Sequence, residues 1–261
     1  EDMLHGRFHP VTQCKLTAGL DAAGKLTALH MRISGQSIIA GIFPQNIKDG
    51  KDPAVFQGLN AGGAEGALGY AVPHLLIDHA MRNPAVPPGF WRGVNLNQNA
   101  VYLECFLDEV AHAAKRDPLE LRRELLANSP KHLAVLNAVA AKAGWGKPRP
   151  KGRHLGLAQI MGFGSYVAAC AEVSVNKKGE LKVHRIVAAT DPGHAVNPQQ
   201  IAAQVEGSFV YGLSAALYGE ITLKDGRVEQ QNFDTYPVMK LADMPAVETI
   251  CMPSGGFWGG V

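Results

Sequence analysis

Three observations predict an α+β fold. Stretches of period-2 alternation open the chain, and capped stretches of helical periodicity follow them. The same order then returns after a basic segment with two prolines at 147–153. Strands followed by helices within each half argue against regularly alternating βα units. The pattern divides the chain into a first α+β half at 1–146, a linker at 147–153 and a second α+β half at 154–261.

In the first half, residues 11–19 and 26–35 alternate apolar and polar side chains around Asp21-Ala22-Ala23-Gly24-Lys25, a hairpin signal. Residues 37–68 have little periodicity and read as a long ordered loop, and 74–82 read as a strand. The segment Pro87-Pro88-Gly89-Phe90-Trp91-Arg92-Gly93 is a stiff turn, because proline fixes φ while glycine permits close approach. It feeds a helix at 95–116 with Ala100, Leu103, Leu107, Val110 and Ala114 on one face. Asp117-Pro118 caps a second helix to about residue 127, and Ser129-Pro130 caps a third that ends at Gly144.

In the second half, residues 155–160, 166–175 and 181–189 read as strands, the last two joined by a turn at 176–179. Gly162-Phe163-Gly164-Ser165 lacks the Lys-Ser/Thr ending of a phosphate loop, so its glycines are expected to start a strand. Asp191-Pro192-Gly193 reads as a turn, and Asn197-Pro198 caps a helix running to about residue 217. Residues 220–223 and 227–230 flank the turn Lys224-Asp225-Gly226, and 247–252 form the last strand.

Composition narrows the function. The 261 residues carry a net charge of only +2 with no dense Lys/Arg tract, which argues against nucleic acid as a partner. No apolar run approaches the ~18 residues of a membrane span, and no leader pattern opens the chain. Cys14, Cys105, Cys170 and Cys251 lie far apart, three of them in apolar surroundings suited to inert thiols. His5 and His9 have i,i+4 spacing on an extended segment, which points them to different faces and makes a metal site there unexpected. The opening Glu1-Asp2-Met3 and the glycine-rich close Ser254-Gly255-Gly256-Phe257-Trp258-Gly259-Gly260-Val261 read as the ends of a segment cut from something longer.

Two places offer binding chemistry. Phe90 and Trp91 precede Arg92, whose planar fork of donors suits an anion such as phosphate; the plain alternative is a surface arginine on a proline turn. The helix at 198–217 carries Gln204 with Gly207 and Gly212 following it. Interior glycines cost a helix roughly 1 kcal/mol each, so something is expected to pack against that backbone. Gln204 is expected to border the packed face, with an amide that both donates and accepts; the plain alternative is a glutamine covering a helix–helix contact. Glu206 reads as a solvated or capping carboxylate, and no Gly-x-Ser-x-Gly elbow supports a serine hydrolase.

Taken in order, several phrases resemble one family. They are Pro88-Gly89-Phe90-Trp91-Arg92, Phe106-Leu107-Asp108-Glu109-Val110-Ala111, Asp117-Pro118-Leu119-Glu120-Leu121-Arg122, Asn197-Pro198, Gln204-Val205-Glu206-Gly207 and the glycine-rich end. The sequence is similar to the molybdenum-binding large subunit of the xanthine dehydrogenase/aldehyde oxidase family, nearest its bacterial isoquinoline 1-oxidoreductase beta-subunit branch. The resemblance implies a molybdopterin, often in the cytosine dinucleotide form, that holds molybdenum through its own dithiolene, so that no residue of this chain is a metal ligand. It implies that Phe90, Trp91, Arg92, Gly93 and Gln204 bind this cofactor. It further implies hydroxylation of an aldehyde or N-heterocyclic carbon with a glutamate as base. That glutamate is expected just after Val261, so no catalytic residue is expected in this chain, and the isolated segment is expected to be inactive. The absence of an arginine at 64–68 argues against purine substrates. The implied partners are a small iron–sulfur subunit carrying the clusters, the remaining segments of the large subunit, and a cytochrome c as electron acceptor. The implied location is the bacterial periplasm or the periplasmic face of the membrane, with the cytoplasm as the alternative. A non-catalytic module that retains the same scaffold is the competing reading.

Overall fold

The computed structural model describes residues 6–260; residues 1–5, with the Glu1-Asp2-Met3 opening and His5, and Val261 lie outside the described residues. Strands β1 (Thr12–Leu20) and β2 (Leu26–Gly35) form the expected antiparallel hairpin. Its turn is closed by Asp21, whose Oδ1 accepts from the amides of Ala23 and Lys25, both at 2.9 Å. Strand β3 (His74–Met81) then adds to β2 in parallel, giving a three-stranded sheet β1-β2-β3. The crossover between them is less irregular than the sequence suggests. It holds a short helix, α1 (Ile38–Ile42), and two 3₁₀ turns at Pro44–Asn46 and Pro53–Phe56. Such short pieces show no periodicity; they are set by side-chain caps, Ser37 accepting from the Ala40 amide and Asp52 from the Ala54 amide.

Helices α2 (Leu96–Ala113), α3 (Pro118–Leu125) and α4 (Pro130–Ala143) follow. Asp117 caps α3 as its position predicts, with Oδ1 accepting from Leu119 (2.8 Å) and Glu120 (3.2 Å). Its carboxylate also accepts from Trp145 Nε1 at 3.0 Å, tying the end of α4 to the start of α3. Asp117→Ala is therefore expected to cost about 1 kcal/mol, read as a lowered urea midpoint at unchanged slope. Ser129 behaves differently from expectation: its hydroxyl donates to the Gly69 carbonyl at 2.7 Å instead of capping α4. The buried face of α2 is also not the purely apolar stripe expected. It comprises Asn99, Leu103, Glu104, Leu107, Val110 and Ala111, because a charged group from α3 draws Glu104 inward.

That group is Arg122, fully buried between α2 and α3. Its Nε donates to Glu104 Oε2 (2.9 Å), Nη1 to Asp108 Oδ1 (2.6 Å) and Nη2 to the Glu104 carbonyl (2.8 Å). Tyr70 donates to the other Glu104 oxygen at 2.7 Å. Burial pushes the Glu104 carboxyl up from its ordinary range, and the guanidinium opposes that push. Burial also acts against the Arg122 cation, but Glu104 and Asp108 outweigh it and keep the guanidinium charged.

The second sheet has the order β4-β5-β6-β9, built from β4 (Arg153–Gly162), β5 (Ser165–Val175), β6 (Leu181–Asp191) and β9 (Ala246–Cys251). The expectation that the glycines at 162–164 begin a strand is corrected here. Gly162 and Ser165 pair directly, and Phe163 and Gly164, both at positive φ, form the two-residue turn that joins β4 to β5. Between β6 and β9 run helix α5 (Pro198–Leu217) and the small hairpin β7 (Leu223–Lys224)–β8 (Arg227–Val228). Strand β9 pairs with β6 in parallel, so each sheet is an antiparallel core with one parallel strand added at its edge. Helix α4 packs on β4, β5 and β6. One cluster of buried apolar side chains joins Met31 and Ile33 of the first sheet, Leu107 and Leu136 of the helices, and Ala168 and Val187 of the second sheet.

Candidate functional site

The aromatic loop before α2 is held rigidly by backbone. Phe8 bridges to Pro88 through Phe8 N–H to Pro87 O (3.0 Å) and Gly89 N–H to Phe8 O (2.8 Å). Gly89 is required there, because a Cβ would lie 2.4 Å from the Arg7 Cβ. Gly93 has φ +96° and crowds the Asn97 side chain, which in turn donates to the Arg92 carbonyl at 3.0 Å. The loop thus presents its side chains in fixed directions. Phe90 is exposed and tilts against Phe43, with ring centroids 6.3 Å apart. Arg92 is exposed and, among the described residues, its guanidinium forms no ion pair.

Trp91 reaches across to α5. Its ring stacks on Tyr211 with centroids 5.0 Å apart and planes 19° apart, and His9 meets its edge at 5.7 Å. Tyr211 lies seven residues, almost two full turns, beyond Gln204, so the two share one face of α5 about 10 Å apart along the axis. Gln204 is exposed and, with Gln200, Ile201 and Ala203, lines an open depression of about 370 Å³. The structure therefore brings Trp91 to the side of α5 that carries Gln204, whereas Phe90 leans on Phe43 and Arg92 and Gly93 make no recorded contact with that helix. It also corrects one expectation about that helix. Nothing in the described residues packs against Gly207 or Gly212, since a Cβ at either would meet no atom within 4 Å. Gln204 lies beside the side of α5 that packs toward β9, with Val205 buried and Ile201 and Ser208 half-buried. Among the described residues the glycine-bearing side of α5 is open, a surface suited to close approach by something flat.

A second constellation sits where β4, β6 and β9 end and β5 begins. The glycine-rich segment 254–260 is laced to neighbouring loops by Gly255 N–H to Gly193 O (2.7 Å), His194 N–H to Phe257 O (2.9 Å), Gly259 N–H to Pro192 O (2.9 Å) and Gly260 N–H to Phe163 O (2.8 Å). The buried Asp191 carboxylate accepts from the amides of Gly193 (2.9 Å) and Ser254 (3.2 Å), so the presumed simple turn at 191–193 anchors two loops at once. Gly193 has φ +76°, and a Cβ there would stand 2.3 Å from the Phe257 carbonyl oxygen. Gly193→Ala is expected to cost about 1–3 kcal/mol, with faster amide exchange at His194 and Gly255 than elsewhere. An unchanged unfolding midpoint would count against the close packing described.

Residues 107–245, more than half of the chain, match the molybdopterin cofactor-binding domain family. The chain belongs to this family. The matched span begins inside α2, takes in Arg122 with Asp108 but not Glu104 or Tyr70, includes all of α5 with Gln204 and Tyr211, and stops just before β9. The chain is 28% identical to isoquinoline 1-oxidoreductase subunit beta of Brevundimonas diminuta, over 95% of this chain and 32% of that protein. It is likewise 28% identical to a protein of Gluconacetobacter polyoxogenes named membrane-bound aldehyde dehydrogenase (pyrroloquinoline-quinone), over 97% of this chain and 36% of the relative. The fold is that of quinoline 2-oxidoreductase from Pseudomonas putida 86, with a TM-score of 0.69 at 11% identity, covering 95% of this chain and 56% of that one. This chain thus spans about a third of the length of these two curated relatives.

Sequence reading missed three residues that tie distant elements together here. Tyr211 is one apolar residue among many in α5, and nothing local marks it as the partner of a tryptophan 120 positions earlier. Glu65 and Lys131 form a 2.6 Å ion pair beside the glycine-rich segment, although they too come from distant elements. Among the described residues no cluster of three His, Cys, Asp or Glu side chains could hold a metal ion.

Proposed function

We propose that this chain is the cofactor-holding part of a molybdenum hydroxylase large subunit that oxidises an aldehyde or N-heterocycle with water as the oxygen source. The observation that carries this reading is the Trp91–Tyr211 stack, which sets the arginine loop against the open face of a helix inside the matched domain. The residues fit a molybdopterin. Arg92 offers a fork of donors for a phosphate, Gln204 an amide for polar edges, and the Trp91–Tyr211 pair and Phe90 an apolar wall. Gly207 and Gly212 leave the backbone open to contact. When bound, molybdopterin supplies the metal centre for oxygen transfer and electron uptake. The residues of this chain bind it, orient it and exclude water around it. No carboxylate of the chain is assigned the role of base; Glu206 is exposed on α5, and the base is assigned to the segment that follows the glycine-rich end.

The partners belong to the same reading. The name "subunit beta" of the isoquinoline relative supports a heteromeric complex, in which a small iron–sulfur subunit carries electrons onward, with a cytochrome c as acceptor. Placement at the periplasmic face of a membrane is part of the same proposal, and the word "membrane-bound" in the aldehyde relative's name speaks only of a membrane. That name also carries a different cofactor, pyrroloquinoline quinone, whereas the domain match favours molybdopterin. Metal and cofactor analysis of the purified full-length complex separates the two. Stoichiometric molybdenum with pterin, together with turnover of aldehydes or N-heterocycles, is the expected result. A complex with quinone and no molybdenum, or with neither, overturns the proposal, and the last outcome favours a non-catalytic module on the same scaffold.

A further inference from the structure

We propose that Lys131 is a positioning residue that fixes the glycine-rich segment 254–260 by seating its ammonium on the ring of Phe257. Phe257 and Trp258 point in opposite senses: Phe257 packs against the core, whereas Trp258 is 72% exposed. Phe257 is therefore the ring through which this glycine-rich stretch is tied to the body of the fold. The ring meets the edge of the buried Tyr166 at 5.9 Å, and Tyr166 in turn meets the edge of the buried His132 at 4.8 Å. Lys131 lies next to His132 at the start of α4, and its Nζ stands 4.4 Å from the Phe257 centroid and 5.7 Å from that of Tyr166. Both distances fall within cation–π range.

The ammonium is itself held in place. Glu65, from the loop before β3, accepts from Nζ at 2.6 Å and also lies 3.3 Å from the Tyr166 hydroxyl. Hydrogen bonding from Lys131 holds the Glu65 carboxyl below its ordinary range, and the Asp191 carboxylate nearby works against that. The lysine thus joins four separate parts of the chain: the loop at 65, α4, β5 and the glycine-rich segment. The hydrogen bonds of that segment reach the turn at 163, Ser165 at the start of β5, Asp191 at the end of β6 and the loop at 192–194, none of which is part of the helix layer. Lys131 and Tyr166 supply the missing connection. The catalytic meaning of this arrangement rests on the proposed function, which places the base glutamate in the residues following the segment; the positioning itself does not.

Amide hydrogen exchange on the full chain without cofactor tests it. Lys131→Met, which keeps much of the apolar stem, is expected to speed exchange at Gly255, Gly259 and Gly260 by about fivefold while α4 and β5 keep their protection. Lys131→Arg, which keeps a cation for the ring, should stay within about twofold of the native rates. Glu65→Gln, at an exposed position, should give a smaller rise with the same pattern. Unchanged exchange at the three glycines in Lys131→Met overturns the proposal, as does an equal rise in Lys131→Arg. Should Lys131→Met fail to fold, Glu65→Gln decides, and unchanged rates there refute the proposal. Because no cofactor enters the measurement, failure of the molybdopterin reading would appear in metal analysis and leave this result standing.

Discussion

Replacing Arg122 by methionine is expected to lower the unfolding free energy by about 3–5 kcal/mol. The substitution leaves the Glu104 carboxylate buried beside Tyr70 without its cation, and it removes the donors to Asp108 and to the Glu104 carbonyl. The cost is that of an uncompensated buried charge, which exceeds what the pair contributes over an apolar replacement. A double variant, Glu104→Gln with Arg122→Met, is therefore expected to recover a large part of the loss. Urea unfolding of the three proteins measures both quantities, provided the slopes agree. A single-variant loss below about 1 kcal/mol would mean that the network is solvated and that the packing of α2 on α3 does not depend on it.

In the full-length protein, Arg92→Ala is expected to weaken cofactor retention by about 1.5–3 kcal/mol, the worth of a charge-assisted hydrogen bond. That corresponds to roughly a ten- to 150-fold loss of affinity. Arg92→Lys should restore only part of it, because an ammonium cannot reproduce the planar fork. Folding should be untouched, since Arg92 is exposed and forms no ion pair among the described residues. Molybdenum content per protein after dialysis reads the effect directly. If both variants hold the metal as well as the native protein does, Arg92 is a surface arginine and takes no part in holding the cofactor.

What the sequence made legible was local. Asp117-Pro118 and Asn197-Pro198 place the starts of α3 and α5 because an N-cap and a first-turn proline act within four residues. The hairpins β1–β2 and β5–β6 were readable because alternation and a turn residue suffice, as with Asn176, whose Oδ1 accepts from the amides of Lys178 and Glu180. What stayed hidden depends on distant partners. The parallel pairing of β3 with β2 and of β9 with β6 leaves no mark on the residues between them. Glu104 looks like a solvent-facing residue of α2 until Arg122 is placed beside it. At the site, the loop 87–93 and Gln204 were legible as unusual chemistry. The stacking of Trp91 on Tyr211 of the helix that carries Gln204, and the anchoring of the glycine-rich segment by Lys131, required the fold.

The late parallel strand has a kinetic consequence. Hairpins β1–β2, β4–β5 and β5–β6 close through short turns, whereas β9 reaches β6 only after α5 and the β7–β8 hairpin have intervened. Closing so long a loop carries its entropy before any ladder bond repays it, which makes such pairings slow. The glycine-rich segment trails β9 and bonds to residues just past β6, so it cannot order before that strand docks. The chain therefore completes its scaffold first and its functional corner last, and a partly folded molecule would hold the α2–α4 core while still lacking a place for the segment that Lys131 secures.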